Sequence, residues 1–148
     1  MEIEFRRAGP ADADLLLDMM RDFYAHERLR FDDAVARRAL GELLGDGRLG
    51  RVHLIESDAE AIGYLVLTFG FSLEFGGRDA FVDELFIRDG WRGRGVGRRA
   101  LECAEEVCRA ESVSALLLEV DHGNANAQVL YRKAGFGGRG NYLLLKRL

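Results

Sequence analysis

The chain has 148 residues, 48% of them apolar and 31% charged, with a net charge of −4 at pH 7. That length suits one domain, residues 1–148, with a sizeable core, and the acidic balance speaks against nucleic-acid binding. No apolar run approaches the roughly 18 residues of a membrane span, and residues 1–7 are strand-like with no signal-peptide core.

In chain order, residues 2–7 alternate apolar and polar, as a half-buried strand does. Gly9-Pro10-Ala11-Asp12 opens a helix, with proline in the first turn and acid at its positive end. Leu15, Leu16, Met19, Met20 and Phe23 continue it as an apolar stripe. A second helix over 33–44 is carried by Val35, Ala36, Ala39, Leu40, Leu43 and Leu44, and Gly45-Asp46-Gly47 ends it. Residues 52–56 and 62–71 read as strands joined by the turn Ser57-Asp58-Ala59-Glu60. A loop rich in glycine and aromatics follows, and then a strand over 80–88. Residues 95–110 read as a helix burying Val96, Ala100, Leu101, Ala104 and Val107. A strand over 115–120, a helix over 125–134 stopped by Gly135, and a final strand over 141–146 complete the chain. The order argues an α/β (α+β) fold: a mixed, mostly antiparallel central sheet of about six or seven strands with helices on both faces.

The two cysteines, Cys103 and Cys108, lie five positions apart on one helix and point to different sides. A disulfide or metal site is not expected, and a reducing cytoplasm is the natural home. His26, His53 and His122 are scattered without metal-ligand spacing; only His122 falls near the end of a strand that could border a site.

The stretch 82–97 is the most informative. A buried strand, Val82 to Ile87, leads through a turn into Arg92-Gly93-Arg94-Gly95-Val96-Gly97 and a helix start. Free backbone N–H groups and the helix dipole favour an anion there. The glycines let the backbone approach a pyrophosphate, while Arg92, Arg94, Arg98 and Arg99 add charge. Asp83 and Glu84 interrupt the apolar strand. Alternation sends them to opposite faces, so one should face the open end of the sheet. A half-buried carboxylate has a raised pKa, which suits a general base, unless an arginine pairs with it.

The loop Arg92-Gly93-Arg94-Gly95-Val96-Gly97 resembles the (Gln/Arg)-x-x-Gly-x-(Gly/Ala) loop of the GNAT superfamily of N-acetyltransferases. Asn124-Ala125-Asn126-Ala127-Gln128-Val129-Leu130-Tyr131-Arg132-Lys133-Ala134-Gly135-Phe136 is similar to the family's second signature, in the family's order and separation. The resemblance implies transfer of acetyl from acetyl-CoA to a primary amine, without a metal. It implies that residues 92–98 hold the pyrophosphate and that the main chain of Leu85, Phe86 and Ile87 pairs with the pantetheine arm. It also implies a V-shaped cleft where the 80–88 strand parts from 115–120. Asn124 would contact the pantetheine, Arg132 and Lys133 would lie near the phosphates, and an N–H near Leu85 would polarise the thioester carbonyl. Tyr131 would protonate the departing thiolate; by itself it also fits a core aromatic. Glu84 or Asp83 would take the amine's proton, directly or through water. The 82–87 strand is also locally similar to that of the spermidine/spermine acetyltransferases, which does not carry the substrate across.

A Rossmann unit would need glycine at position 98, which is Arg98, and no Gly-x-x-x-x-Gly-Lys occurs. The rival from another class is a non-catalytic acyl-CoA-binding domain. The acceptor stays open at this level: a small polar amine such as a polyamine, amino acid or aminoglycoside, or a protein N-terminus or lysine. Glu74 could help bind a cationic amine, and Phe23, Tyr24, Phe31 and Phe71 could wall its pocket. The C-terminal strand could pair across the axis of a homodimer.

Overall fold

The computed structural model describes residues 2–148; Met1, the first residue of the strand-like N-terminal segment, lies outside the described residues. Among the described residues, five strands form one sheet: β1 (Glu4–Arg7), β2 (Gly50–Ser57), β3 (Glu60–Ser72), β4 (Gly77–Ile87) and β5 (Ala115–Leu117), in that spatial order. The first four are antiparallel neighbours, and β5 joins β4 in parallel. A parallel neighbour needs a crossover, which helix α3 (Val96–Ala110) supplies. Helices α1 (Ala13–His26) and α2 (Asp33–Gly45) precede β2, and α4 (Ala125–Lys133) follows β5. Local chemistry explains the joints. Asp32 caps α2 by accepting the Val35 N–H at 3.1 Å. Asp58 and Ala59 take φ of 49° and 63°, as the two-residue turn between β2 and β3 requires.

Side chains alternate across the sheet. Leu54, Tyr64, Val66 and Phe86 pack against Leu16, Leu17 and Met19 of α1 and Leu40 of α2. Leu65, Leu67 and Val82 point the other way, onto Leu101 and Ala104 of α3 and onto Leu130 and Tyr131 of α4. Ile55 and Ile62 meet Val96 and Ala100. Each such leucine or isoleucine contributes roughly 1.5–3 kcal/mol by leaving water.

Four expectations change. Leu15 and Val35 are exposed, and Leu17 is buried instead. Cys108 joins the buried face of α3, where Val107 packs only half-buried. The strand expected over 115–120 stops at Leu117. Residues 141–146 form no strand, and Tyr142, Leu143, Leu144 and Leu145 are exposed. A strand needs a neighbour to take its N–H and C=O groups, and this segment has none among the described residues. The sheet therefore has fewer strands than the apolar runs suggest.

Candidate active site

Alternation along β4 sends Asp83 and Glu84 to opposite faces; the structure turns both the same way. Val66 pairs with Glu84 and Leu67 with Val82, so Asp83 is an extra residue in the ladder, a β-bulge. Val82 still packs on the α3 side and Phe86 on the α1 side. The inserted residue thus lets two consecutive carboxylates line one cavity of about 690 Å³, walled by Tyr24, Phe31, Leu40 and Leu43.

Glu84 is held by two phenols: Tyr24 Oη donates to Oε2 at 2.5 Å and Tyr64 Oη donates to Oε1 at 2.8 Å. Burial pushes the Glu84 carboxyl up, the tyrosine bonds pull it back in part, and the Asp83 charge adds to the push. Burial alone pushes Asp83 up. Its side chain nevertheless reaches solvent, because a concave wall admits water while surrounding the group with protein of low dielectric. Burial, then Glu84, holds Tyr24 as a neutral phenol, and the same order of causes holds Tyr64. Two carboxylates with raised pKa in one cavity are suited to accept a proton from a bound ammonium.

The pairing of β4 with β5 runs from Asp79 opposite Ala115 to Phe81 opposite Leu117 and then stops. Beyond it, β4 has β3 on one edge, and the other edge opens as the expected cleft. Arg88 N donates to Ile62 O at 2.8 Å, which sets the phase of the antiparallel ladder. Phe86 therefore gives its backbone groups to β3, while Leu85 and Ile87 turn theirs to the open edge. The Ile87 carbonyl accepts from Arg92 Nε at 2.8 Å. Both N–H groups and the Leu85 carbonyl are left for an extended ligand.

Gly93 and Gly95 have φ of 72° and 81°, the left-handed region that favours glycine, and Gly95 is the N-cap of α3. Arg99 N donates the first helical bond, to Gly95 O at 3.2 Å. The amides of residues 96–98 precede that ladder and suit an anion. Gly97 serves packing, since a Cβ there would stand 3.1 Å from Leu130 Cδ2. The arginines mostly brace the loop. Arg92 pairs with Asp89 at 2.6 Å and stands 3.1 Å from His26 Nε2. Arg94 lies over the Trp91 ring at 4.4 Å. Arg98 pairs with Glu102 at 3.4 Å, and Arg99 donates to Ile3 O at 3.0 Å. Free amides, left-handed glycines and the parted strand edge together fit a coenzyme with a pyrophosphate and an amide-bearing arm.

Tyr131 packs edge-on against Phe136, ring centroids 6.1 Å apart, among Leu65, Leu67 and Val82. Burial, then the Glu27 charge, keeps its phenol neutral. It lies on the α3 side of the sheet, whereas Asp83 and Glu84 open on the α1–α2 side. Asn124 caps α4, accepting the Ala127 N–H at 3.1 Å, and Arg132 and Lys133 are exposed at that helix's far end.

The remaining candidates scatter. His53 is buried with Nδ1 unpartnered and is pushed down by burial; His122 is exposed. No cluster of three metal-ligating side chains occurs among the described residues. Glu74 is paired with Arg139 at 2.5 Å. Phe71 is exposed, and Phe23 packs between Tyr64 and Phe86, so of the four aromatics only Tyr24 and Phe31 line the cavity. Sequence reasoning missed Tyr64; the available signal was one phenol in an apolar strand, which needs a partner when buried.

The model of the Acetyltransferase (GNAT) family matches residues 14–136. A protein of Azospirillum brasilense named "IAA acetyltransferase" is 35% identical over 133 residues, 90% of this chain and 69% of that protein. The "L-methionine sulfoximine/L-methionine sulfone acetyltransferase" of Pseudomonas aeruginosa is 28% identical over 141 residues, 92% of this chain and 81% of that protein. An integron cassette protein from the mobile metagenome of Cole Harbour Salt Marsh superposes with a TM-score of 0.88 at 38% identity, covering 97% of this chain and 90% of that one. The chain thus belongs to the GNAT family as an acetyl-CoA-dependent N-acetyltransferase.

Proposed function

We propose that the chain acetylates the primary amine of a small polar acceptor held in the Asp83–Glu84 cavity. The observation that carries this is the bulge, which places two carboxyls of raised pKa together beside the open edge of β4. Acetyl-CoA supplies an activated thioester. The amides of residues 93–98 would hold its pyrophosphate, and the open-edge groups of Leu85 and Ile87 would hold its arm. Arg92 and Arg94 brace that loop, and Asn124, Arg132 and Lys133 lie at the ends of α4 beyond it. Phe86 backs the strand from the core, packed against α1.

An ammonium entering the cavity loses its proton to Asp83 or Glu84. Asp83 is the freer of the two, because Tyr24 and Tyr64 occupy both oxygens of Glu84. The neutral amine attacks the carbonyl carbon: a C–N bond forms and the C–S bond breaks. The Leu85 N–H faces the carbonyl oxygen as negative charge develops on it. Tyr131 gives its proton to the departing sulfur, the new amide nitrogen releases its second proton to solvent, and Tyr131 regains a proton from solvent. The amine relatives support a small acceptor, since the Pseudomonas enzyme is named for methionine sulfoximine and methionine sulfone. The exposed leucines of 143–145 support a homodimer in which this segment pairs with its own copy across an axis. The free thiols Cys103, pushed up to about 11 by burial, and Cys108 agree with a cytoplasmic setting.

The test combines binding and turnover. Acetyl-CoA should raise the melting temperature where NADH does not, and thiol release should fall in Asp83→Asn, Glu84→Gln and Tyr131→Phe. Unchanged turnover in all three variants would refute the assigned roles. A monomer by light scattering at every concentration would remove the dimer.

A further inference from the structure

Asp83 and Glu84 share a cavity but not a setting. Both Glu84 oxygens are occupied: Tyr24 of α1 donates to Oε2 at 2.5 Å, and Tyr64 of β3 donates to Oε1 at 2.8 Å. Asp83 is exposed, makes no hydrogen bond or ion pair among the described residues, and responds to burial alone. Each phenol has a single O–H, and neither makes another hydrogen bond among the described residues. A proton on Oε1 would therefore leave the O–H of Tyr64, a residue 0% exposed, without a partner. Two donors facing two oxygens fit the carboxylate and not the acid.

The phenols are themselves fixed. The Tyr24 ring stands edge-on to Phe31 at 5.3 Å and to Phe23 at 5.8 Å. The Tyr64 ring lies 5.8 Å from Phe86, its cross-strand neighbour. Glu84 is thus pinned between a helix and the sheet. No arginine or lysine pairs with it among the described residues. The other charged side chains lining the cavity are Arg30, Asp32 and Arg147, all exposed, and α2 contributes apolar side chains only. A held carboxylate with no cation of its own suits a substrate ammonium. A base must also return its proton to water in every cycle. Exposed Asp83 can do so, whereas Glu84 would first have to break a phenol bond.

We infer that Tyr24 and Tyr64 are positioning residues: they hold Glu84 as a fixed anion that anchors the substrate ammonium, so that Asp83 alone takes the proton. The ammonium's proton moves to a free Asp83 oxygen and from there to water, while Glu84 keeps both phenol bonds. This rests on the reading of the acidic cavity as the amine site.

The experiment is thiol release from acetyl-CoA with hexylamine, 1,6-diaminohexane, L-lysine and glycinamide, followed against pH for the amine that the parent turns over fastest. Tyr24→Phe should raise that amine's KM about tenfold at neutral pH and leave kcat within about threefold. It should also move the acid limb of kcat/KM upward by on the order of one pH unit, because a bond to the charged form is lost. Tyr64→Phe should act in the same direction, and Tyr24→Phe carries the test alone if that variant does not fold. Glu84→Gln should raise KM more than it lowers kcat. Asp83→Asn should lower kcat on the order of 100-fold or more, with KM within about threefold. An unmoved KM and acid limb in Tyr24→Phe, while both acid variants slow release, would overturn the role of the phenols and leave the acids standing. Equal losses of kcat in Glu84→Gln and Asp83→Asn would overturn the division between them. Release with none of the four amines, while acetyl-CoA still stabilises the fold, would overturn the amine site and this inference with it.

Discussion

Asp83 and Glu84 present acidic side chains to a cavity, whereas the arginine side chains of residues 92–98 lie outside and the loop's backbone amides would serve the coenzyme. The acids are raised by burial, and Glu84 is fixed by two phenols. The loop arginines are tied to Asp89, Trp91, Glu102 and main-chain oxygens. The difference teaches that the two halves of the site respond to different changes. The acidic half is sensitive to side-chain chemistry and pH, and the loop half to backbone conformation.

The largest expected effect comes from removing both acids. Asp83→Asn with Glu84→Gln should lower kcat on the order of 10²–10⁴-fold while acetyl-CoA raises the melting temperature as in the parent. Loss of the coenzyme's stabilising effect would show that the halves are one unit. Next is Gly95→Val, which forces a β-branched residue to φ of 81°. It should cost on the order of 1–3 kcal/mol of stability and weaken acetyl-CoA binding, with the amine's KM little changed. Equal loss of both affinities would break the comparison from the other side.

pH sharpens it. The folded state holds protons on Asp83 and Glu84 more tightly than the unfolded chain does. Their ionisation therefore opposes folding, an effect absent below the unfolded carboxyl pKa and complete above the raised folded values. Asp83→Asn should melt above the parent at pH 7, and the gain should shrink as pH falls toward the ordinary carboxylate range. The acid limb of kcat/KM should likewise lie above that range. A melting difference independent of pH would show that Asp83 is not so raised. The smallest effect belongs to Arg98→Ala. Exposed pairs four apart on a helix contribute roughly 0.3–0.5 kcal/mol, so its melting curve should nearly overlay the parent's.

Much of this was legible in the residues. The glycine loop, the Asn124–Phe136 signature and the capping and periodicity of the helices depend on local chemistry, and local chemistry is written in sequence. The face of Asp83 was not legible. Alternation assumes one residue per rung, and a bulge is decided by the partner strand, where Val66 and Leu67 enclose the extra residue. Tyr64 was hidden for a related reason, since its partner lies on the next strand. The C-terminal segment has the apolar content of a strand, yet strand formation depends on an available edge.

The bulge also has a meaning in terms of insertion and deletion. Without Asp83, the run Val82-Glu84-Leu85-Phe86-Ile87 would be a regular strand with each side chain on the face it occupies now. One codon separates that conventional strand from one presenting two acids to a single cavity. Deleting it would be expected to keep the sheet's packing intact while halving the cavity's acid count, so lineages of this fold could gain or lose their second acid in one step, without rebuilding the core.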